Sequence, residues 1–195
     1  MRRTNSILIV VICLAIVFAM SGVGVMADEN RFNLIEYCKT HQITSQAEFN
    51  NVLIDYCSVD ETELFVTNNE EYFYLEIDYV TNTIITTVRE QRSTRGSDTE
   101  TCSRNYYDDN GGRIFTITVE GTFQFGLLVC FCTSADGSFT KPSSSQWTST
   151  PTISSGNQSP SVAYARISGT ATYSNQTRNY SLTLTCDNTG TFGAY

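Results

Sequence analysis

The sequence predicts a mainly β protein, an antiparallel β-sandwich behind a short helical N-terminal cap. Three observations predict it. Apolar residues recur at helical spacing only within residues 28–57. From Thr62 onward the period changes to two. Turn residues then punctuate the chain at short intervals with no helical stretch between strands, which argues for antiparallel pairing rather than βαβ units.

The N-terminus is a separate matter. Arg2 and Arg3 precede an apolar run from Ile7 to Met20, and Val25-Met26-Ala27 has the small-x-small pattern of a signal-peptidase site. Residues 1–27 are therefore read as a signal peptide cleaved after Ala27, and the protein as secreted; an uncleaved anchor is the alternative. Cys13 follows the bulky Ile12, which does not suit a lipid-modified cysteine. No later segment is apolar enough to span a bilayer, so no membrane insertion is expected after cleavage. Six of the seven cysteines follow the cut, and an oxidising compartment makes a disulfide-bonded fold the expectation.

Charge is unevenly spread. Residues 28–78 hold twelve acidic side chains and two basic ones, Arg31 and Lys39, whereas residues 79–195 hold eight of each. Nucleic acid and anionic lipid both require a basic footprint, so both are disfavoured as partners. The remaining partners are a protein or a glycan.

The elements follow in order. Leu34, Ile35 and Cys38 suit one short helix. Ser45-Gln46-Ala47-Glu48 reads as a capping box opening a second, in which Phe49, Val52, Leu53, Tyr56 and Cys57 form one apolar stripe. Residues 28–61 make the cap. Thr62–Thr67 is a predicted strand and Asn68-Asn69 a turn. In Tyr72–Tyr79 the residues Phe73, Leu75, Ile77 and Tyr79 point one way, and Tyr72, Tyr74, Glu76 and Asp78 the other. Thr81-Asn82 turns the chain, and Thr83–Arg92 returns. Residues 62–103 thus form a hairpin or meander with its linker, and the soft break falls in the polar stretch 93–112. Residues 104–195 form the sandwich, although 62–195 can equally be one domain. Within it Ile114–Phe125 alternates cleanly, with Gly121 marking a bulge or a close neighbouring backbone. Leu127–Thr133 comes back, Ala135-Asp136-Gly137 turns, and Ser161–Tyr173 and a late strand through Tyr180, Leu182, Leu184 and Cys186 complete the pattern.

Gly121-Thr122-Phe123, the Cys132-Thr133-Ser134 eleven residues on from Gly121, the lone Trp147 and the late Leu182-Thr183-Leu184-Thr185-Cys186 resemble small exported proteins of gut Gram-positive bacteria of the Firmicutes type. Those carry an immunoglobulin-like β-sandwich domain of unknown function. The resemblance covers roughly 113–190; it implies a fold and a location, not an activity. It also implies a Cys132–Cys186 pair, both at the ends of apolar-faced strands. Cys38 with Cys57, one ending each helix, and Cys102 with Cys130 complete one of the fifteen pairings open to six cysteines.

No residue is assigned a catalytic role. His41 is the single histidine and no nucleophile elbow is present. Cys130 and Cys132 lack zinc-site spacing, and Asp108-Asp109-Asn110-Gly111 lacks that of an EF-hand, so neither a metal nor a cofactor is expected. Trp147 is read as core filler. Arg89, Arg92 and Arg95 are expected to pair with the acidic first third. The ligand-binding candidate is the face of Tyr72, Tyr74, Glu76 and Asp78, where rings that stack on sugars sit beside carboxylates that accept from hydroxyls; an ordinary solvated strand face is the plain alternative. The expectation is a secreted, non-enzymatic protein acting by surface contact. A carbohydrate-binding or cell-envelope module using that face, and a small hydrolase with paired carboxylates, are its rivals.

Overall fold

A computed structural model describes residues 32–66, 72–94 and 97–195. The signal segment, the Asn68-Asn69 turn and Arg95 lie outside the described residues, as does the side chain of Arg92.

Helix α1 (Leu34–Thr40) starts at Asn33, whose side chain accepts from the Glu36 amide. Helix α2 (Gln46–Cys57) starts at Ser45, which accepts from the Glu48 amide at 3.1 Å. The capping box is shifted by one residue in its return bond: Glu48 accepts from the amide of Thr44 at 2.8 Å rather than from Ser45. The predicted stripe is largely buried, with Phe49, Val52 and Leu53 inside and Tyr56 exposed. It packs with Leu34, Ile35, Ile84 and Tyr107, against which Phe73, Leu75 and Ile77 also lie. Phe49 meets Tyr107 edge to face with centroids 5.0 Å apart.

Five strands form one antiparallel sheet in chain order: β1 (Tyr72–Asp78), β2 (Thr83–Thr94), β3 (Ser97–Tyr107), β4 (Arg113–Phe125) and β5 (Cys130–Thr140). Four form a second: β6 (Thr152–Ser159), β7 (Val162–Tyr173), β8 (Gln176–Asp187) and β9 (Phe192–Ala194). The fold is mainly β, as predicted. The sheets share one core of Phe115, Ile117, Val119 and Phe123 from the first and Ala165, Ile167, Leu182 and Leu184 from the second. The helices cover the opposite face of the first sheet at its β1–β3 side, so that sheet is packed on both faces. Neighbours in each sheet are neighbours in sequence. The Greek-key crossing of an immunoglobulin-like connectivity therefore does not occur among the described strands.

Several local expectations are corrected. Thr62–Thr67 is not a strand where it is described: Glu61–Glu63 is a 3₁₀ turn, because the Asp60 carboxylate accepts from both the amide and the hydroxyl of Thr62 at 2.8 Å. The polar stretch 93–112 contains β3, paired along its whole length with β2 and β4. Ala135-Asp136-Gly137 is not a turn but the middle of β5, opposite Val119, Glu120 and Gly121. Gly137 is there because a Cβ would stand 2.8 Å from the Thr118 carbonyl. Beside Gly121 the register slips between Thr122 and Phe123, the expected irregularity; the close neighbour is not a backbone but the Phe123 ring, which a Cβ would meet at 2.5 Å. Among the described residues the ion-pair and hydrogen-bond partners of Arg89 lie in the sandwich rather than in the acidic first third. It pairs with Glu100 at 2.9 Å and donates to the Phe192 carbonyl at 2.7 Å.

All six described cysteines are free thiols. The expected Cys102–Cys130 pair is excluded by register. Cys102 stands opposite Val119, whereas Cys130 stands opposite Phe125, six residues further along β4; at roughly 3.4 Å per residue that is about 20 Å, far beyond the ~7 Å a disulfide spans. Cys186 has Cys130 as its hydrogen-bonding thiol neighbour, not Cys132, which bonds the Ser134 carbonyl instead. Cys38 and Cys57 do lie near one another.

Candidate functional site

Side chains directly opposite one another in an antiparallel pair share a face. Tyr72 opposes Arg89, Tyr74 opposes Thr87 and Glu76 opposes Ile85. Ile85 packs against the inter-sheet core and Arg89 bonds the second sheet at Phe192. The polar face of β1 is therefore turned to the side on which the second sheet lies, while Phe73, Leu75 and Ile77 face the helices. β1 is the edge strand, and it overhangs.

Beneath the overhang is a groove of about 380 Å³. One wall is Glu76, Asp78, Arg104 and Tyr106; the other is the β8 segment 177–181. That segment is open because β9 pairs with β8 only from Thr183 onward. Two arginines tie the walls together. Arg104 donates to the Thr87 hydroxyl at 3.2 Å and to the Ser181 carbonyl at 2.9 Å. Arg178 donates to the Thr83 hydroxyl and to the Thr81 carbonyl, with its guanidinium 5.4 Å over the Trp147 ring. Trp147 is buried among Phe115 and Tyr173 as core filler.

The four predicted residues separate. Asp78 is absorbed by its own turn: it accepts from the Val80 amide at 2.9 Å and from the Thr81 hydroxyl at 2.6 Å. The Thr81 hydroxyl is the main reason its carboxyl is held below the usual range, and Arg178 adds to this. Tyr72 lies under the Arg89 guanidinium at 5.7 Å. Tyr74 stays exposed on the overhang, and Glu76 stays exposed at the groove with no hydrogen bond or ion pair among the described residues. Burial raises the Tyr106 hydroxyl above its ordinary pKa and lowers that of Arg178.

Sequence reasoning missed Arg104, Tyr106 and Arg178. The first two sit in the polar stretch 93–112 read as a soft break; their signal was the alternation of Cys102, Arg104 and Tyr106, one polar residue between two buried ones. A slightly larger hollow of about 420 Å³ lies near Asp60, Asp108 and Arg113. Its Asp108 is spent on its own loop, accepting from the amides of Asn110 and Gly112. His41 caps α1, its ring stacked on Tyr37 at 3.9 Å. Among the described residues no group of three His, Cys, Asp or Glu side chains is placed to hold a metal.

Comparison with protein-family models, curated proteins and solved structures finds no match to this chain.

Proposed function

We propose that the protein is an exported, non-enzymatic binding module that takes a carbohydrate in the groove between β1 and β8. One observation carries this reading. Glu76 and Tyr74 stand unengaged on an exposed overhang, beside two arginines already fixed in place by backbone and hydroxyl partners. A carboxylate accepts from sugar hydroxyls, guanidiniums donate to ring and hydroxyl oxygens, and a tyrosine face covers the apolar side of a pyranose. The donors are held before the ligand arrives, which reduces the ordering cost of binding.

The hydrolase reading draws less support. Glycoside cleavage needs one carboxyl kept protonated as an acid, and Asp78 is shifted the other way.

A glycan array with the native protein tests the proposal, repeated with Glu76→Gln and Tyr74→Ala. The expected result is binding to a defined set of glycans, weakened at least tenfold by either change. Absence of binding, or binding that both variants retain, overturns it.

Export and crosslinking belong to the same reading. The Arg2-Arg3 start and the small-x-small site ending at Ala27 support secretion, as does the resemblance over 113–190. Thiol proximity favours Cys38–Cys57 and Cys130–Cys186 as the bridges, leaving Cys102 and Cys132 reduced. For each bridge the two thiols would surrender two protons and two electrons to the disulfide of an exported thiol oxidoreductase, which leaves as a dithiol. Peptide mass spectrometry of the secreted protein without reductant checks the pairs; a Cys132–Cys186 peptide would contradict this assignment.

A further inference from the structure

The hairpin between β4 and β5 projects apolar side chains into solvent. Leu127 is 96% exposed and Leu128 80%, and Phe125, Val129 and Phe131 are exposed around them. Phe125 lies on the face of β4 that carries Phe123, whereas Phe131 points oppositely to the buried Cys130, so one ring flanks the hairpin on each side. From Gly121 to Ala135 no residue is charged. The backbone is closed at the base of the tip: Gly126 and Val129 exchange amide-to-carbonyl bonds at 2.9 and 3.3 Å, and Asn188 donates to the Leu127 carbonyl at 3.1 Å.

We propose that this hairpin docks on an uncharged lipid bilayer surface, seating Leu127 and Leu128 below the headgroups with Phe125 and Phe131 at their level. Bonding across the base of the hairpin lowers the cost of leaving water, and at interfacial depth the remaining tip backbone groups stay within reach of headgroups and water. The tip has no cation to attract anionic lipid and the chain has a net charge of −8, so the complementary surface is zwitterionic. The patch exposes on the order of 600 Å², below the ~800 Å² each partner commits in a standard protein interface, and a convex tip suits a fluid surface better than a second copy of the chain. This is interfacial docking rather than spanning; among the described residues no helix is long and apolar enough to cross a membrane. None of these hairpin residues lines the groove between β1 and β8.

The test uses the full chain with phosphatidylcholine vesicles. Leu128→Trp places a reporter at the tip, while the native Trp147 is buried. With brominated phosphatidylcholine the tip tryptophan should be quenched at least twofold, and the native chain should not be. Leu127→Ser/Leu128→Ser should reduce vesicle co-sedimentation about tenfold with thermal unfolding unchanged, and adding anionic lipid should not strengthen binding. An unquenched tip tryptophan, or equal sedimentation of the serine variant, overturns the proposal. So does a native chain that self-associates without vesicles while the serine variant stays monomeric.

Discussion

Glu100 is fully buried in the interior of a sandwich, and Arg89 is its ion-pair partner at 2.9 Å. Burying two charges is costly, and removing one leaves the other without that compensation. Arg89→Met should therefore destabilise the protein by about 3 kcal/mol, and adding Glu100→Leu should recover much of that loss. Denaturant unfolding of the two variants checks this; a double variant no better than the single would contradict it. Asp78 gives a pH signature. Its lowered carboxyl means the folded state favours the charged form, so its contribution is present above the ordinary carboxylate range of about 3.9 and lost as pH falls through the folded value. Asp78→Asn should lower the melting temperature at neutral pH and cost much less near pH ~2.5. An equal loss at both would assign the effect to something other than this ionisation. At Gly121 an added methyl meets the Phe123 ring, and Gly121→Ala should cost about 1–3 kcal/mol.

Among the elements, the helical cap was legible because Ser45 and Asn33 begin helices in the ordinary way and the Phe49, Val52, Leu53 stripe has helical period. Ser45→Ala should remove about 1 kcal/mol, readable in urea unfolding. β1, β4, β7 and β8 were legible because one face of each is apolar at period two, and β2 because its run is rich in Ile, Thr and Val. β3 was not: its inward side carries Glu100 and Arg104 among buried Cys102 and Tyr106, so the polar residues that bind the layers together resemble a linker in sequence. β6 and β9 escaped for a different reason. β6 is short and mostly exposed, and β9 has three residues; neither has room to display a period. Half of the candidate site was visible from β1 alone. Its other half comes from β3 and β8, which only the stacking of two sheets brings opposite Glu76.

For the whole molecule, the consequential feature is that the first sheet is wider than the second and is covered on both faces. Helices occupy the outer face at β1–β3, the second sheet occupies the inner face toward β5, and the mismatch leaves the β1 overhang above the open edge of β8. We propose that this overhang is a recognition site rather than a solvated margin. Amide chemical-shift mapping of the labelled protein, titrated with the glycan that binds best on the array, tests it most directly. Shifts concentrated at Tyr74–Asp78, Arg104–Tyr106 and 177–181 are expected, and their loss in Glu76→Gln. Shifts confined to the hollow at Asp108 and Arg113, or to the helices, would contradict it.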